Sequence, residues 1–244
     1  MTELLRTASL SKDFAGVHAL GPVDFRVAAG ETVGIIGPNG SGKTTFFNVA
    51  TGFLRPTSGR VFWEGSDVTR VPAHRRARLG LVRTFQEKMV FPGNPVRENL
   101  QLALLQQGAA DLDDAAVVPA LDAVGLPRRT LDQRAGELSW GQCRLLGMAL
   151  ALLLRPRLLL LDEPFAGLNR IAAGQVTDFL RRQQQQGLAM VIVEHEMSLL
   201  LPLCHRVVVF ANGEVLAEGS ADEILRRDDV RAAYFGAESH AAAG

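Results

Sequence analysis

A glycine-rich segment ends in Lys43 and Thr44 and matches the pattern Gly, four residues of any type, Gly-Lys, then Ser or Thr. Its glycines let the backbone curl without Cβ clashes, so that successive N–H groups and the N-terminus of a following helix point to one place. This arrangement binds phosphate groups, with the Lys43 ammonium on the outer phosphates and the Thr44 hydroxyl available to Mg²⁺. By itself the loop fits a kinase, a GTPase, a helicase or the engine of a transporter. The residues predicted to bind nucleotide are Gly37, Pro38, Asn39, Gly40, Ser41, Gly42, Lys43, Thr44 and Thr45.

Two adjacent carboxylates, Asp162 and Glu163, follow the apolar run Leu158–Leu161. Ligands of open α/β sheets lie beyond the carboxyl ends of the strands, so Asp162 is predicted to meet the metal of the nucleotide. Glu163 stands one residue further along and points differently, which lets it act as the general base that polarises the attacking water. The alternative is a solvated acidic loop, which the apolar run before the pair and Pro164 after it disfavour.

Two further side chains, His195 and Gln86, could complete such a site. His195 ends the run Val191–His195, and the same strand-end argument places it near the γ-phosphate. A lone histidine is more often structural than catalytic, so that reading stays open. Gln86 follows Gly80–Phe85 and could give an oxygen to the magnesium shell, although a glutamine after a strand is a weak signal on its own.

The elements that must position these residues alternate between strand-like and helix-like runs. Alternation of this kind predicts a parallel sheet flanked by helices. The continuous apolar character of Leu158–Leu161 and Met190–Val193 indicates that these two strands are buried on both faces. The predicted strand and helix pairs are Thr32–Ile36 with Thr44–Thr51, Leu158–Leu161 with Ile171–Gln186, and Ala189–Val193 with Glu196–Leu203.

Other stretches depart from this alternation. Near the start, Leu4–Leu10, Val23–Val27 and Gly59–Trp63 alternate apolar and polar residues, as half-solvated antiparallel strands do. The middle of the chain, about residues 95–154, has helical spacing only, and a helical tail is expected at about 221–236. The predicted fold is therefore α/β: a P-loop ATPase core with a parallel sheet, an antiparallel β subdomain and a helical subdomain, within one domain over residues 1–244.

Composition narrows the partners and the location. Lys plus Arg number 26 and Asp plus Glu number 26, so the formal charge is zero and there is no basic field to attract nucleic acid. The N-terminus has no apolar stretch of signal-peptide length, and the most apolar run, Leu145–Leu161, is interrupted by Arg155–Arg157. We expect a cytosolic protein that spans no membrane.

The segment Leu138–Gln142 resembles the signature motif of the ATP-binding-cassette (ABC) family, Leu-Ser-Gly-Gly-Gln, with Trp140 in place of a small residue. The other motifs follow the order and spacing of that family, so the resemblance covers nearly the whole chain. It implies that the helical subdomain carries the signature. The site roles that it implies are a catalytic base for Glu163, a switch histidine for His195, and Mg²⁺ binding for Thr44, Gln86 and Asp162.

The resemblance also implies that two such domains sandwich two ATP molecules, so that the active unit is a dimer. Phe14 resembles the aromatic residue that stacks on adenine, with a core or turn aromatic as the alternative. Asn169 stands where many relatives have Asp, a change expected to tune the site without loss of ATPase activity. The signature residues expected at the partner's ATP are Ser139, Trp140, Gly141 and Gln142, of which all but Trp140 are expected to bind its γ-phosphate. The loop expected to cross the dimer interface consists of Ala166, Gly167, Leu168 and Asn169.

Finer resemblances point to the ATPase subunits of branched-chain amino-acid and urea uptake systems. We expect the chain to power uptake of branched-chain or other amino acids, with import of urea or amides and transport of lipid or lipopolysaccharide as alternatives. The expected partners are a second ATPase subunit, identical or homologous, the permease subunits and a periplasmic or extracellular substrate-binding protein. The chain would then sit at the cytoplasmic face of the membrane. The segments that carry this resemblance are Phe47–Val49, Thr51–Gly52, Val82–Gln86, Ala166–Asn169, Glu194–Met197 and Val230–Tyr234.

Two other classes of protein fit less well. Soluble cassette ATPases of ribosomes or DNA repair usually carry two cassettes or a long coiled-coil insertion, and this sequence has one cassette, no heptads and no basic patch. A GTPase would need an Asn-Lys-x-Asp segment to read guanine, and the sequence contains none.

Overall fold

The computed structural model describes residues 2–84, 90–106, 108 and 113–241. The strands are β1 (Glu3–Phe14), β2 (Val17–Ala28), β3 (Thr32–Ile36), β4 (Ser58–Trp63), β5 (Ser66–Asp67), β6 (Leu81–Arg83), β7 (Leu158–Asp162), β8 (Ala189–Val193), β9 (Arg206–Ala211) and β10 (Glu214–Gly219). The helices are α1 (Lys43–Ala50), α2 (Ala73–Arg78), α3 (Val96–Gln106), α4 (Asp114–Val124), α5 (Trp140–Leu153), α6 (Arg170–Gln185), α7 (Met197–Leu200), α8 (Ala221–Leu225) and α9 (Asp228–Ala241).

The central sheet has six strands in the order β10-β9-β3-β8-β7-β6. Neighbouring strands from β9 to β6 run parallel, and β10 pairs antiparallel with β9 at one edge. Every residue of β3, β7 and β8 is buried, which the continuous apolar runs in β7 and β8 predict. Because β3, β8 and β7 are parallel neighbours, their carboxyl ends lie at one edge of the sheet, where the predicted site residues follow them.

The central sheet is packed on both faces. Successive side chains of a strand point to opposite faces, and in β7 Leu158 and Leu160 join the cluster formed with α1 and the antiparallel strands. Leu159 and Leu161 join the cluster formed with the helices of the middle segment. The predicted α/β fold with its two accessory layers is confirmed.

A second, antiparallel sheet has the order β2-β1-β4-β5. In β2, residues from Val23 to Val27 alternate between buried and exposed, which confirms the predicted half-solvated strands. Its buried face meets α1, where Phe46 lies edge-on against Phe25 with ring centroids 4.9 Å apart.

The middle segment contains α3, α4 and α5, and α5 is the most deeply buried of them. The tail expected at about 221–236 contains α8 and most of α9. The division of the chain into these subdomains within one domain stays a prediction. In the described part of the chain, none of the helices combines the length and apolar character needed to cross a bilayer.

Some elements differ from the sequence prediction. The helix expected over Glu196–Leu203 is the short α7 followed by a 3₁₀ turn at Leu201–Leu203, because Pro202 cannot donate to the preceding turn. The hairpin of β9 and β10 was not predicted. Its turn is Asn212-Gly213, with φ of 50° and 83°, a dipeptide that marks two-residue hairpins and could have found it.

The end of α1 is fixed by a buried arginine, Arg76. Its guanidinium donates to the carbonyl oxygens of Val49 and Ala50 at 3.1 and 2.7 Å, and to those of Val71 and Thr69. Burial lowers the pKa of Arg76 to about 10. These bonds satisfy carbonyl groups that a helix leaves open at its C-terminus, so Arg76 anchors the helix that follows the glycine-rich segment.

Candidate nucleotide site

The phosphate loop (Gly37–Thr44) connects β3 to α1, as the strand-loop-helix motif requires. At Gly37, with φ of 155°, an added Cβ would lie 2.2 Å from the carbonyl oxygen of Phe210 on β9. At Gly42, with φ of 99°, an added Cβ would lie 2.9 Å from the carbonyl oxygen of Ala19. Only glycine fits these positions, because larger residues would collide with backbone that cannot move aside.

Lys43 lies inside the loop with a relative exposure of 6 %. Its ammonium donates to the carbonyl oxygens of Gly37 and Pro38, each at 2.8 Å. Burial lowers the pKa of Lys43, while the nearby carboxylates Glu163 and Asp162 act in the opposite direction. A phosphate oxygen can take the place of these carbonyl partners, since an anion relieves the desolvation of the ammonium.

The N-terminus of α1 is open to a ligand. Gly42 occupies the N-cap position and has no side chain to accept a hydrogen bond from the first turn. Thr44 is exposed and Thr45 is half-buried. The first turn therefore has no side-chain cap to compete with a phosphate, and the exposed Thr44 is accessible to a ligand.

Asp162 is the last residue of β7 and is held by a buried ion pair. Its Oδ2 accepts a hydrogen bond from Arg83 Nη2 at 2.7 Å, and both side chains are almost completely buried. Arg83 also donates to Asn48 Oδ1 of α1 at 2.6 Å. The arginine at the end of β6 thus fixes the carboxylate relative to the phosphate-loop helix. Sequence reasoning missed this contact, because nothing local links residues so far apart.

Glu163 adopts a left-handed backbone conformation with φ of 47°. This conformation is unfavourable for a residue with a side chain, and such strain is often found at functional sites. Its Oε1 lies 3.1 Å from Nε2 of His195, which follows β8. The structure therefore brings the predicted base and the predicted switch histidine into contact.

Glu194 is a buried carboxylate that sequence reasoning did not assign to the site. Its Oε1 accepts the N–H of Phe165 and its Oε2 accepts the N–H of His195, each at 2.8 Å. Burial raises the pKa of Glu194, and the backbone N–H groups oppose that shift. Glu194 thus joins the loop after Glu163 to the loop that carries His195. An acidic residue at the end of an apolar strand was the available signal.

The signature segment (Leu138–Gln142) forms the start of α5. Ser139 caps the helix: its Oγ accepts the N–H of Gln142 at 3.3 Å, and its own N–H donates to Gln142 Oε1 at 2.9 Å. Gly141 packs closely on α6, because an added Cβ would lie 2.7 Å from Cβ of Ala172. The side chain of Trp140 is 44 % exposed.

The interface loop (Ala166–Asn169) connects the catalytic region to α6. Asn169 is the N-cap of that helix, and its Oδ1 accepts the N–H of Ala172 at 2.9 Å. Asn169 therefore has a capping role, which a neutral amide performs as well as a carboxylate. Leu168 packs at the edge of the larger cluster. The indole N–H of Trp140 donates to the carbonyl oxygen of Ala166 at 3.1 Å, so the signature segment and the interface loop of one chain touch.

The other predicted residues are less defined. Phe14 ends β1 and is 43 % exposed, with the Lys12 ammonium 5.0 Å from its ring centroid. Its stacking on adenine stays a prediction. Gln86 lies outside the described residues.

Similarity to known proteins extends over most of the chain. A family model described as ABC transporter matches residues 20–166. A probable branched-chain amino acid transport ATP-binding protein, LivG, of Archaeoglobus fulgidus is 37 % identical, over 97 % of this chain and 96 % of that protein. The lipopolysaccharide export system ATP-binding protein LptB of Acidithiobacillus ferridurans is 34 % identical, over 97 % of this chain and 98 % of that protein.

A solved ATP-binding cassette of an ABC transporter in its ADP conformation superposes with a TM-score of 0.87 and 32 % identity. The match covers 97 % of this chain and 100 % of that one. Sequence and structure lead to the same assignment: this chain belongs to the ABC transporter family.

Proposed function

We propose that this chain is the ATP-hydrolysing subunit of an ABC importer for branched-chain or related amino acids. The observation that carries the catalytic part is the contact between Glu163 and His195, at 3.1 Å, at the sheet edge where the charge of Lys43 also lies. The names of relatives such as LivG support the substrate class.

ATP would be bound by the phosphate loop and oriented by its backbone. Lys43 would exchange its carbonyl partners for phosphate oxygens, and Phe14 would meet the adenine. Thr44 and Asp162 supply the hydroxyl and carboxylate oxygens that suit Mg²⁺, with Gln86 as a further ligand. When bound, the ion would neutralise charge that develops on the phosphates. Arg83 would keep the Asp162 carboxylate in place through their buried ion pair.

Glu163 would take the proton of the attacking water on its carboxylate, as a general base does. The backbone at Glu163 is left-handed, and its side chain reaches His195. The His195 ring contacts Oε1 of Glu163. The same ring would contact the γ-phosphate when ATP is bound. Glu194 fixes the loops that carry both residues, so the pair is positioned before the nucleotide arrives.

Two copies of the chain, or this chain and a homologous cassette, would form the working unit. In such a dimer the signature segment of each subunit would complete the ATP site on the phosphate loop of the other. The interface loop would lie between them.

The permease subunits would dock on the middle segment, about residues 95–154, and on the stretch Gln86–Phe91 before it. Phe91, Leu102 and Leu105 are apolar side chains there with 60 %, 37 % and 51 % exposure. An exposed group of large apolar residues is typical of a protein interface. With a periplasmic or extracellular binding protein delivering the substrate, the chain would work at the cytoplasmic face of the membrane.

Lipopolysaccharide transport is the second candidate, because LptB is also among the similar proteins. Co-purification from membranes distinguishes the two. Recovery of permeases with a substrate-binding protein that binds amino acids supports import. A binding protein for urea or amides would change the substrate, and recovery of lipid-transport subunits would replace import by export.

The substitution Glu163→Gln tests the catalytic assignment. It keeps the size of the side chain and removes the base, so turnover is expected to fall by about a hundredfold or more while ATP binding persists. The variant should accumulate as an ATP-bound dimer in size-exclusion chromatography. Glu196→Gln, a matched change at an exposed carboxylate next to His195, should hydrolyse ATP at the parent rate. Normal turnover of Glu163→Gln would refute the mechanism.

A further inference from the structure

Trp140 joins the signature segment to the interface loop of its own chain. We propose that Trp140 is a positioning residue that couples the two ATP sites of the dimer, by passing the state of one catalytic loop to the signature that completes the other site. The inference rests on the proposed dimer and assigns a route within each chain between its two sites.

The contact itself is specific. The Trp140 indole donates to the carbonyl oxygen of Ala166 at 3.1 Å. An added Cβ at Gly167 would lie 3.1 Å from the same indole nitrogen, and Gly167 has φ of 71°. The next residue of the helix, Gly141, packs more closely still, because an added Cβ there would lie 2.7 Å from Cβ of Ala172 in α6. The first turn of α5 is therefore fitted against the interface loop at Trp140 and against the helix that the loop leads into at Gly141, so a shift of the loop would be felt at this turn.

The loop at the other end of this contact belongs to the catalytic site. Ala166 donates its N–H to the carbonyl oxygen of Glu163 at 3.2 Å, so the acceptor of the indole bond lies one turn from the predicted base. Phe165, between them, is held by the buried Glu194. A displacement of Glu163 therefore reaches Trp140 through one tight turn.

A second contact runs along the helix. The Arg144 guanidinium lies 5.5 Å from the centroid of the Trp140 ring, in cation–π geometry. Arg144 is half-buried, and the charges of Glu194, Glu163 and Asp162 act on it. The indole is thus set between the interface-loop carbonyl and the Arg144 guanidinium of the next turn of α5.

The dimer gives this route its consequence. The Glu163 of one chain acts on the ATP bound to that chain, whereas its signature segment completes the ATP of the partner. Trp140 lies between these two parts of the same chain. A purely local role would make Trp140 act only on the ATP that its signature touches. Coupling would also make it act on the ATP of its own chain.

Mixed dimers separate these roles. Two differently tagged chains are co-expressed: the first carries Glu163→Gln, and the second has native Glu163 together with Trp140→Phe. The Phe side chain keeps an aromatic ring and loses the N–H donor. The ATP hydrolysed in this dimer is completed by the first chain's signature, whose Trp140 is intact. The reference dimer differs only in having native Trp140 in both chains.

The single-turnover rate of phosphate release is expected to fall by about two- to tenfold in the test dimer, the range for one lost hydrogen bond. An equal rate in test and reference dimers overturns the coupling role. Trp63, the other tryptophan of the chain, gives the matched control. It is buried in β4, away from the signature segment, and Trp63→Phe in the second chain should leave the rate at the reference value.

The Glu163→Gln homodimer distinguishes failure of the inference from failure of the proposed function. If that homodimer forms with ATP and the test dimer matches the reference, only the coupling role of Trp140 is wrong. If no ATP-dependent dimer forms at all, both the proposed function and the coupling are wrong.

Discussion

The N-termini of α1 and α5 are both predicted to meet phosphate, yet the chain treats them differently. At α1, Gly42 provides no side-chain cap for the first turn. At α5, Ser139 and Gln142 form a complete capping box, in which each side chain accepts a backbone N–H of the other residue. Both are helix ends with the positive pole of the helix dipole.

The difference separates a site that is ready from one that must be opened. At α1 a phosphate meets a first turn without a side-chain cap, and Lys43 would only exchange its loop carbonyl partners for phosphate oxygens, so the phosphate loop can bind nucleotide in a single subunit. At α5, the side chains of Ser139 and Gln142 would have to give up their capping hydrogen bonds before they could bind a phosphate, which costs free energy. We expect contacts with a correctly placed partner subunit to offset that cost. Nucleotide binding would thus precede closure of the dimer.

The largest effect is expected from Ser139→Arg. The arginine places bulk where the partner's phosphate must fit, so ATP-dependent dimers should be lost and turnover should fall by about a hundredfold or more, while nucleotide binding by single subunits persists. Size-exclusion chromatography in the Glu163→Gln background measures the dimer. Ser220 caps α8 with the same capping box, which makes Ser220→Arg a matched control that should still dimerise. Dimers of Ser139→Arg would remove the distinction between the two helix ends.

A smaller effect is expected from Lys43→Met, on the other side of the comparison. The substitution keeps the length of the side chain and removes its charge, so nucleotide affinity of the single subunit should weaken by about ten- to a hundredfold, as for a lost charged hydrogen bond. Isothermal titration with a non-hydrolysable nucleotide measures the change. If Lys43→Met binds nucleotide normally, the phosphate loop is not the ready site.

The smallest effect concerns Glu194, whose carboxylate accepts backbone N–H groups in the loops that follow β7 and β8. In Glu194→Gln a single oxygen replaces two, and a buried N–H of Phe165 or His195 loses its acceptor. The free energy of unfolding at neutral pH should fall by about 1–3 kcal/mol, measured by urea denaturation. The matched change Glu223→Gln, at an exposed capping-box carboxylate, should stay within about 0.5 kcal/mol of the parent.

The Glu194→Gln variant should also change how stability depends on pH. Because burial raises the pKa of Glu194 above 4.5, the folded chain holds this proton to higher pH than the unfolded chain does. The contribution of Glu194 to stability therefore falls as pH rises from about 4.5 through the raised value. Glu194→Gln should remove that fall, which urea titrations at several pH values would detect. Parallel curves for parent and variant would contradict the assignment.

The sequence predicted the elements with a strong local signal. The strands β3 and β8 were predicted to the residue, because a short apolar run between turn-forming residues has few alternatives. The position of Lys43, Glu163 and His195 at one sheet edge followed from the rule for parallel strands. These were arguments from patterns that a few neighbouring residues define.

Contacts between distant segments could not be predicted in this way. Arg83 and Asp162 are 79 positions apart, and an arginine at a strand end has no local feature that announces a buried partner. Trp140 was interpreted as a departure from a motif, since only the fold brings its indole to Ala166, 26 positions away. Such pairs depend on how whole helices and strands pack, and a single sequence does not show which residues of two distant elements come to lie side by side.

The packing of both faces of the central sheet has a consequence for how the protein unfolds. Adjacent residues of β7, Leu160 and Leu161, belong to different apolar clusters, so each cluster uses the same strands as its wall. Loss of either cluster would expose one face of the sheet to water at a large free-energy cost. The two halves therefore cannot melt separately, and heating should unfold them in a single cooperative transition.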